Sequence, residues 1–294
     1  MGGWRYVRCG GAARFTGTIL YHGLRNHAEH GRVHVLGYQN TAQNLAPGPN
    51  AMLLHLPAAG MTRANFIDTS RCPRVLRDMV DTLRPVSRGP AGAYGAAPQA
   101  AGPPPVQVFD HDVYTVVLAT DPTLIPDALE QVPPHKRIPA NRPLFDFYAA
   151  MYPGYAVALC CFDNREALAA NPLLMWYSPH DPDRFALPAI DCHTGAVPDL
   201  GAQVLTDHWV VFGTDEARPG WGAEVRYAPH YDQNNMPQAP LNSGPAAPFL
   251  PGRVMGVQFD GWHPNGDFVI PYADVLSGDL GTLRRLAPGW APPL

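Results

Sequence analysis

The sequence predicts an α+β protein made mostly of antiparallel β-sheet, with a few short helices and long loops rich in proline and glycine. Three observations support this fold class. Short β-type runs outnumber helical ones along the chain. The 34 prolines among 294 residues are incompatible with many long helices. The stretch at 254–273, VMGVQFDGWHPNGDFVIPYA, predicts a β-hairpin whose turn is Pro264, Asn265 and Gly266.

Further β-type runs predict the remaining strands. RFTGTILYH at 14–22 and RVHVLGYQN at 32–40 are expected to pair as a hairpin. The run at 106–120 predicts two short strands with a bend at 110–112. The other runs are NAMLLHLPA, YAVALCCF, LLMWY, HWVVFG and AEVRYA.

Three short helices are predicted between these strands. Residues 73–84, PRVLRDMVDTLR, place their apolar side chains on one helical face, and the leading proline suits a first turn. Residues 124–131 predict a second helix. A third begins after Asn141 and ends at Tyr152, before a Pro-Gly pair.

The chain is predicted to form a single integrated domain over residues 1–294. Residues 86–105, dominated by Pro, Gly and Ala, predict a linker or long loop. They separate a β-rich segment at 1–85, which contains the 73–84 helix, from a β-rich segment at 106–294. Neither segment has an obvious core of its own, so one unit is the preferred interpretation.

Composition excludes several classes of function. The net charge of −4 offers no basic surface for nucleic acid. No apolar run is long enough to predict a membrane span. The five cysteines are an odd number without disulfide-like spacing, and no secretory signal is visible. We therefore expect a cytoplasmic protein with reduced thiols.

The order of elements resembles a family of uncharacterised bacterial proteins that contain a domain of unknown function. The likeness covers about residues 10–190. It rests on the segments NAMLLHLPA, VQVFDHDVYTVVLATDPTLIPDALE, YPGYAVALCCF and PLLMWYSP, whose motifs are generic. The resemblance implies this order of elements and a bacterial origin, and it implies no catalytic residue.

The best candidate for chemistry is the stretch at 22–34, HGLRNHAEHGRVH, which holds four of the twelve histidines. In the predicted hairpin, His22 and His34 lie at the base of the connecting loop, with His27 and His30 on the loop itself. Four convergent imidazoles suit a divalent transition metal such as zinc. The alternatives are a solvated polar turn, with His34 as a packing residue, and a proton-handling site.

A second candidate is Cys72, which immediately precedes the 73–84 helix. The positive end of a helix dipole favours a thiolate, so a Cys–His enzyme is one alternative. Cys160 and Cys161 are expected on opposite faces of a strand, where burial makes them inert. Weaker candidates are polar turns at 110–112, at 191–193 (Asp-Cys-His), at 207–208 and at 229–238.

Two classes of function remain. The short GxGxxG, GxxxxGK[ST], GxSxG, HExxH and CxxC signatures are all missing. This favours a binding or structural protein that contacts a protein partner or associates with itself. The alternative is an enzyme, either a metal-assisted hydrolase that uses the histidine stretch or a Cys–His enzyme that uses Cys72.

Overall fold

The structure is a computed structural model. It describes residues 14–44, 47–58, 60–84, 105–231, 234–242 and 244–288. The predicted linker at 86–105 lies outside the described residues, apart from Pro105.

The strands follow the predicted β-type runs and add several short ones. They are β1 (Arg14–His27), β2 (Gly31–Asn44), β3 (Pro49–Leu56), β4 (Phe66–Ile67), β5 (Val106–His111), β6 (Tyr114–Ala119), β7 (Ala156–Asp163), β8 (Leu173–Tyr177), β9 (Arg184–Leu187), β10 (Gln203–Thr214), β11 (Ala223–Glu224), β12 (His230–Tyr231), β13 (Pro237–Gln238), β14 (Arg253–Pro264), β15 (Asp267–Pro271) and β16 (Arg284–Leu286).

Helices are few and short, as predicted. The α-helices are α1 (Val75–Leu83), α2 (Ile125–Ala128), α3 (Arg142–Met151) and α4 (Tyr272–Ser277). The 3-10 turns are Arg63–Asn65, Pro122–Leu124, Leu129–Gln131, Asn164–Glu166, Pro240–Asn242, Ala247–Phe249 and Leu280–Thr282. Among the described residues, no helix is long and apolar enough to cross a membrane.

Three sheets and a two-stranded ribbon account for the strands. The largest sheet has the order β11-β14-β10-β1-β2-β8-β4, the second β3-β7-β6-β5 and the third β16-β15-β9, while β12 and β13 pair alone. Every described pair is antiparallel except β1 with β10, which run parallel. The predicted α+β class with mostly antiparallel sheet is therefore confirmed.

The sheets pack in layers because each strand alternates its side chains between two faces. One face of the seven-stranded sheet packs against the other two sheets and forms the largest apolar cluster. Its opposite face is covered by α1 and the turn at Ala247–Phe249. The outer face of the four-stranded sheet is covered by α2 and α3. The largest cluster combines side chains from both sides of 86–105, and the single domain over 1–294 stays a prediction.

The hairpin predicted from 14–22 and 32–40, and the two strands predicted over 106–120, are confirmed. β1 and β2 pair antiparallel from Arg14 opposite Asn44 to His27 opposite Gly31, so the strands are longer than predicted. β5 and β6 form a hairpin over the 106–120 run. Asp112, at its turn, adopts a positive φ of 52°.

The predicted hairpin at 254–273 is wrong. β14 pairs with β10, whereas β15 pairs with β9 and β16, so the two arms belong to different sheets. The reason lies in the turn. The buried Asn265 side chain donates to the Asp199 and Asp191 carbonyl oxygens, and it accepts from the Asp191 N–H at 2.8 Å. These tertiary bonds direct the chain away from β14.

Substitution of Gly266 tests the path of the chain between β14 and β15. A Cβ on Gly266 lies 2.1 Å from the carbonyl oxygen of Leu286, so the backbones must separate to admit it. We expect Gly266→Ala to lower the free energy of unfolding by about 1–3 kcal/mol in urea titrations. Gly252→Ala is the matched control, because its Cβ meets nothing within 4 Å. Equal stability of the two variants contradicts the close approach.

Candidate functional site

The register of the first hairpin decides where its histidines lie. His22 lies opposite Leu36, and His34 lies opposite Leu24, so both are well inside the paired strands. The placement of His22 and His34 at the base of the loop was therefore wrong, because the strands continue to His27 and Gly31. The two imidazoles are diagonal neighbours on the face that packs against the other sheets.

His22 and His34 form a buried pair. His22 Nε2 and His34 Nδ1 are 2.9 Å apart, so one of these nitrogens donates to the other. The His22 ring stacks on Phe185, with ring centres 4.0 Å apart. Burial first, and the adjacent His34 second, hold the pKa of His22 well below its usual range. Burial and the nearby Arg32 lower the pKa of His34 to about 4. Both rings are thus neutral packing groups at neutral pH.

His27 and His30 lie on the opposite side of the sheet. Their rings stack on each other, with centres 4.5 Å apart. His27 also stacks on Phe249 and His30 on Trp176, so four parallel rings fasten the hairpin tip to the neighbouring segments. Backbone N–H groups of Glu29 and His30 donate to His27 Nδ1.

The structure thus brings the four histidines together as two pairs on opposite faces. Among the described residues, no three His, Cys, Asp or Glu side chains lie close enough to share a metal ion. This arrangement does not support one ion held by His22, His27, His30 and His34. The divalent transition metal, such as zinc, that the sequence predicts for this stretch stays a prediction.

The prediction of a thiolate at Cys72 is wrong. The thiol is buried beside α1, and burial raises its pKa to about 12, with the charges of Asp68 and Asp78 acting in the same direction. The helix begins only at Val75. The negative charge of Asp78 in its first turn offsets the positive end of the dipole, which would otherwise favour a thiolate. Cys72 and His230 line one cavity of about 30 Å³, which has room for about one water molecule.

The other three cysteines of the described residues are also held as thiols. Cys160 and Cys161 are on opposite faces of β7, as predicted, and burial raises the pKa of both. Burial raises the pKa of Cys192 to about 11, and the Tyr148 hydroxyl approaches its sulfur at 3.7 Å. The side chains of His193 and Asp191 bond each other, whereas the Cys192 sulfur contacts Tyr148 instead.

A polar centre that the sequence did not reveal lies where the four-stranded and three-stranded sheets meet. The Asp267 carboxylate, on β15, accepts a hydrogen bond from His55 Nε2 at 2.8 Å. The Tyr152 hydroxyl, just after α3, donates to the same oxygen. The backbone N–H of Ala189 donates to the other oxygen at 2.8 Å. We call His55, Tyr152 and Asp267 the Asp267 centre.

Electrostatics keep this carboxylate ionised although it is buried. Burial alone raises the pKa of Asp267, but the charge and hydrogen bond of His55, with the bonds from Tyr152 and Ala189, outweigh burial and lower it. Arg285 lies beneath and donates to the carbonyl oxygens of Ala189 and Gly266. Burial lowers the Arg285 pKa to about 10, while the charge of Asp267 acts in the opposite direction. The hydrogen bonds of Asp267 thus connect β15 to β3, to the end of α3 and to the segment after β9.

The Asp267 centre forms one wall of a cavity of about 260 Å³ between α3, β9, β15 and the chain after β16. Arg184 and Tyr155 supply further polar groups to this wall. Sequence reasoning missed the centre because His55 and Asp267 are 212 positions apart and Tyr152 and Asp267 are 115 apart. The local signals, a histidine in an apolar strand and an aspartate after Asn-Gly, are common.

An exposed tryptophan, Trp262, lies on the face of the seven-stranded sheet that α1 covers elsewhere. Trp262 of β14 exposes 69% of its surface, although it lies in a regular strand. It stands opposite Leu205 of β10, and the next pair on this face is Asp207 opposite Asp260. We call this surface the Trp262 face. It consists of Leu205, Asp207 and Trp209 of β10 and Gln258, Asp260 and Trp262 of β14.

The described residues leave most of the outer edge of β14 without a partner strand. β11 pairs only with Arg253 and Val254. Beyond Val254, no strand in the described part of the chain pairs with this edge. In an antiparallel strand, alternate residues direct their backbone N–H and C=O groups to each side. The outer half of β14 therefore offers unpaired backbone groups next to an exposed indole.

Comparisons with known proteins give a structural likeness only. No family model and no curated protein match the sequence, so the resemblance to an uncharacterised bacterial family stays a prediction. The crystal structure of baculovirus P35 is similar, with a TM-score of 0.44 and 12% identity over 88% of this chain and 97% of that chain.

Two structures of a mutated baculovirus P35 after caspase cleavage are also similar. One has a TM-score of 0.40 and 12% identity over 88% of this chain and 91% of that chain. The other has a TM-score of 0.41 and 11% identity over 87% of this chain and 97% of that chain.

The buried histidine pair predicts acid sensitivity. Because the folded-state pKa of His34 lies below its usual 6.5, the unfolded chain binds more protons between these values. The stability from the neutral pair is complete above about pH 6.5 and is lost as the pH falls toward 4. A drop from 6.5 to about 4 corresponds to about 3 kcal/mol. Urea unfolding between pH 7 and 4 measures it.

A double variant tests whether the two histidines cause this loss of stability at low pH. His22→Leu with His34→Leu should flatten the fall in unfolding free energy below pH 6.5. His135→Leu, at an exposed position, should leave the fall unchanged. A steep fall that persists in the double variant contradicts the assignment.

Removal of the Asp267 charge should destabilise the protein strongly. Asparagine cannot accept all three hydrogen bonds, because its amide N–H₂ meets donors instead. A buried donor left without its acceptor costs about 1–3 kcal/mol, so we expect a loss of that order or more for Asp267→Asn in urea titrations. Asp146→Asn, on the exposed side of α3, should change stability by no more than about 0.5 kcal/mol. Similar stability of both variants shows that the carboxylate is dispensable.

Proposed function

We propose that this chain is a protein-binding protein that takes an extended segment of a partner along the open edge of β14. The observation that carries the proposal is the 69% exposure of Trp262 beside an unpaired strand edge. Exposed tryptophans are enriched among residues that dominate protein interfaces.

The backbone of the edge supports this mode of binding. An extended peptide can add a strand to an exposed edge, with main-chain hydrogen bonds supplying affinity and alternate side chains supplying specificity. β14 runs for 12 residues from Arg253 to Pro264, and the described part of β11 covers only two of them. An added strand would extend the seven-stranded sheet beyond its present outer edge.

The charges on the Trp262 face favour a cationic partner. Asp207 and Asp260 lie directly opposite each other, and like charges in this position repel. Asp207 accepts from the Gly17 N–H, whereas no cation among the described residues pairs with Asp260. A lysine or arginine of the partner between these carboxylates relieves the repulsion. A second one can lie over the Trp262 ring in a cation–π contact.

The positions of the other candidate groups support binding over catalysis. Cys72 is held as a buried thiol, and His22 and His34 are neutral and enclosed. The four cysteines of the described residues are free thiols, which supports a reducing, cytoplasmic location as part of this proposal.

A peptide selection tests the surface. Random 12-residue peptides displayed on phage and selected on the full chain should be enriched in arginine or lysine at alternate positions. Fluorescence anisotropy of an enriched peptide should show about 30-fold weaker binding to Trp262→Ala, the loss of about 2 kcal/mol typical of a hot spot. Leu168→Ala is the matched control, because Leu168 is also 69% exposed and lies elsewhere. It should bind the peptide as the unaltered protein does.

Three outcomes overturn the proposal. The first is an absence of cationic sequences among the selected peptides. The second is equal binding of the peptide by Trp262→Ala and Leu168→Ala. The third is a dimer in light scattering that Trp262→Ala abolishes, since this would make a second copy of the chain the occupant of the edge.

A further inference from the structure

The cavity beside the Asp267 centre has the properties of a small-molecule site. Its volume of about 260 Å³ lies just below the range usual for drug-sized ligands, which suits a compound of about ten non-hydrogen atoms. It opens between elements of two sheets and α3. The cavity shares no residue with the Trp262 face, so an inference about it is independent of the proposed peptide binding.

On one side of the cavity, the hydrogen-bonding groups of the Asp267 centre already have partners within the protein. The Asp267 carboxylate accepts from His55, Tyr152 and the Ala189 N–H, so it has little capacity left for a ligand cation. The His55 ring is 4% exposed, and its centre lies 4.0 Å from that of Tyr152. These contacts fix the wall in one conformation, which reduces the entropy lost when a ligand binds.

The groups left to bind a ligand are donors. Arg184 lines the cavity, and its side chain forms no ion pair or hydrogen bond with another described residue. The nearby Asp181 accepts from the Asp183 N–H instead. Tyr155 also lines the cavity, and its hydroxyl has no hydrogen-bond partner among the described residues. A guanidinium and a phenol hydroxyl together match a carboxylate.

We propose that this cavity binds a small monocarboxylate with an apolar body. The carboxylate accepts from the guanidinium of Arg184 and the hydroxyl of Tyr155. The apolar body lies against Met151, Val269 and Leu286 on the remaining wall. Prolines 57, 153, 188 and 288 also line the cavity, and their fixed φ angles restrict its backbone.

Calorimetry with a matched pair of probes tests the charge requirement. Phenylacetate and its neutral amide, phenylacetamide, share one apolar body and differ in charge. We expect phenylacetate to bind with Kd below about 10 mM and phenylacetamide at least about 10-fold more weakly. Hexanoate and indole-3-acetate extend the panel to other apolar bodies. The proposal is overturned if no acid in the panel binds, or if phenylacetate and its amide bind equally.

Variants then locate the site. Arg184→Met should weaken phenylacetate binding about 10-fold or more, and Tyr155→Phe should weaken it less. Arg226→Met, at an exposed arginine outside the cavity, is the control and should bind normally. In methyl NMR spectra of the unaltered protein, the signals of Met151 and Val269 should shift when phenylacetate is added. This measurement does not depend on the folding of a variant. Shifts confined to other methyls, or equal binding by Arg184→Met and Arg226→Met, would overturn the assignment.

Discussion

The buried carboxylate of Asp267 joins three parts of the chain that are far apart in sequence. It lies at the start of β15 and accepts hydrogen bonds from β3, from the end of α3 and from the segment after β9. A charge at such depth is tolerated only when it is fully solvated by the protein. This requirement sets the spacing between the three-stranded sheet and the four-stranded sheet. The cavity beside the centre lies at this junction, with His55, Tyr152 and Asp267 in its lining.

Local patterns predicted most of the elements and the class of fold. The 106–120 run gave both strands of a hairpin because its bend contains residues that tolerate unusual backbone angles, and Asp112 has a φ of 52°. The 73–84 helix was predicted from its apolar face, which α1 buries against the large sheet. Sheet partners were predicted less well. The turn at Asn265 was found, yet the strands on its two sides join different sheets, because the bonds of Asn265 reach Asp191 and Asp199.

The candidate sites also differ in how far apart their residues lie in the sequence. The histidines at 22–34 are conspicuous because they are close in sequence, but strand alternation and the length of the hairpin divide them between two faces. The Asp267 centre is inconspicuous because its members are more than a hundred positions apart. Trp262 was visible only as an aromatic residue in a β-type run. Its exposure depends on which segments cover this face of the sheet, and α1 and the turn at Ala247–Phe249 cover only other parts of it, which no local pattern encodes.

The parallel pairing of β1 with β10 has a consequence for the order of events during synthesis. The β1–β2 hairpin is complete once residue 44 has been made, but the strand that pairs with its other edge ends at Thr214. About 170 residues must be added in between, which takes about 10–35 s at ordinary rates of translation. During this interval the nascent chain presents β1 as an uncovered edge with apolar side chains on both faces. The molecule therefore passes through a period of vulnerability to aggregation that its finished structure conceals.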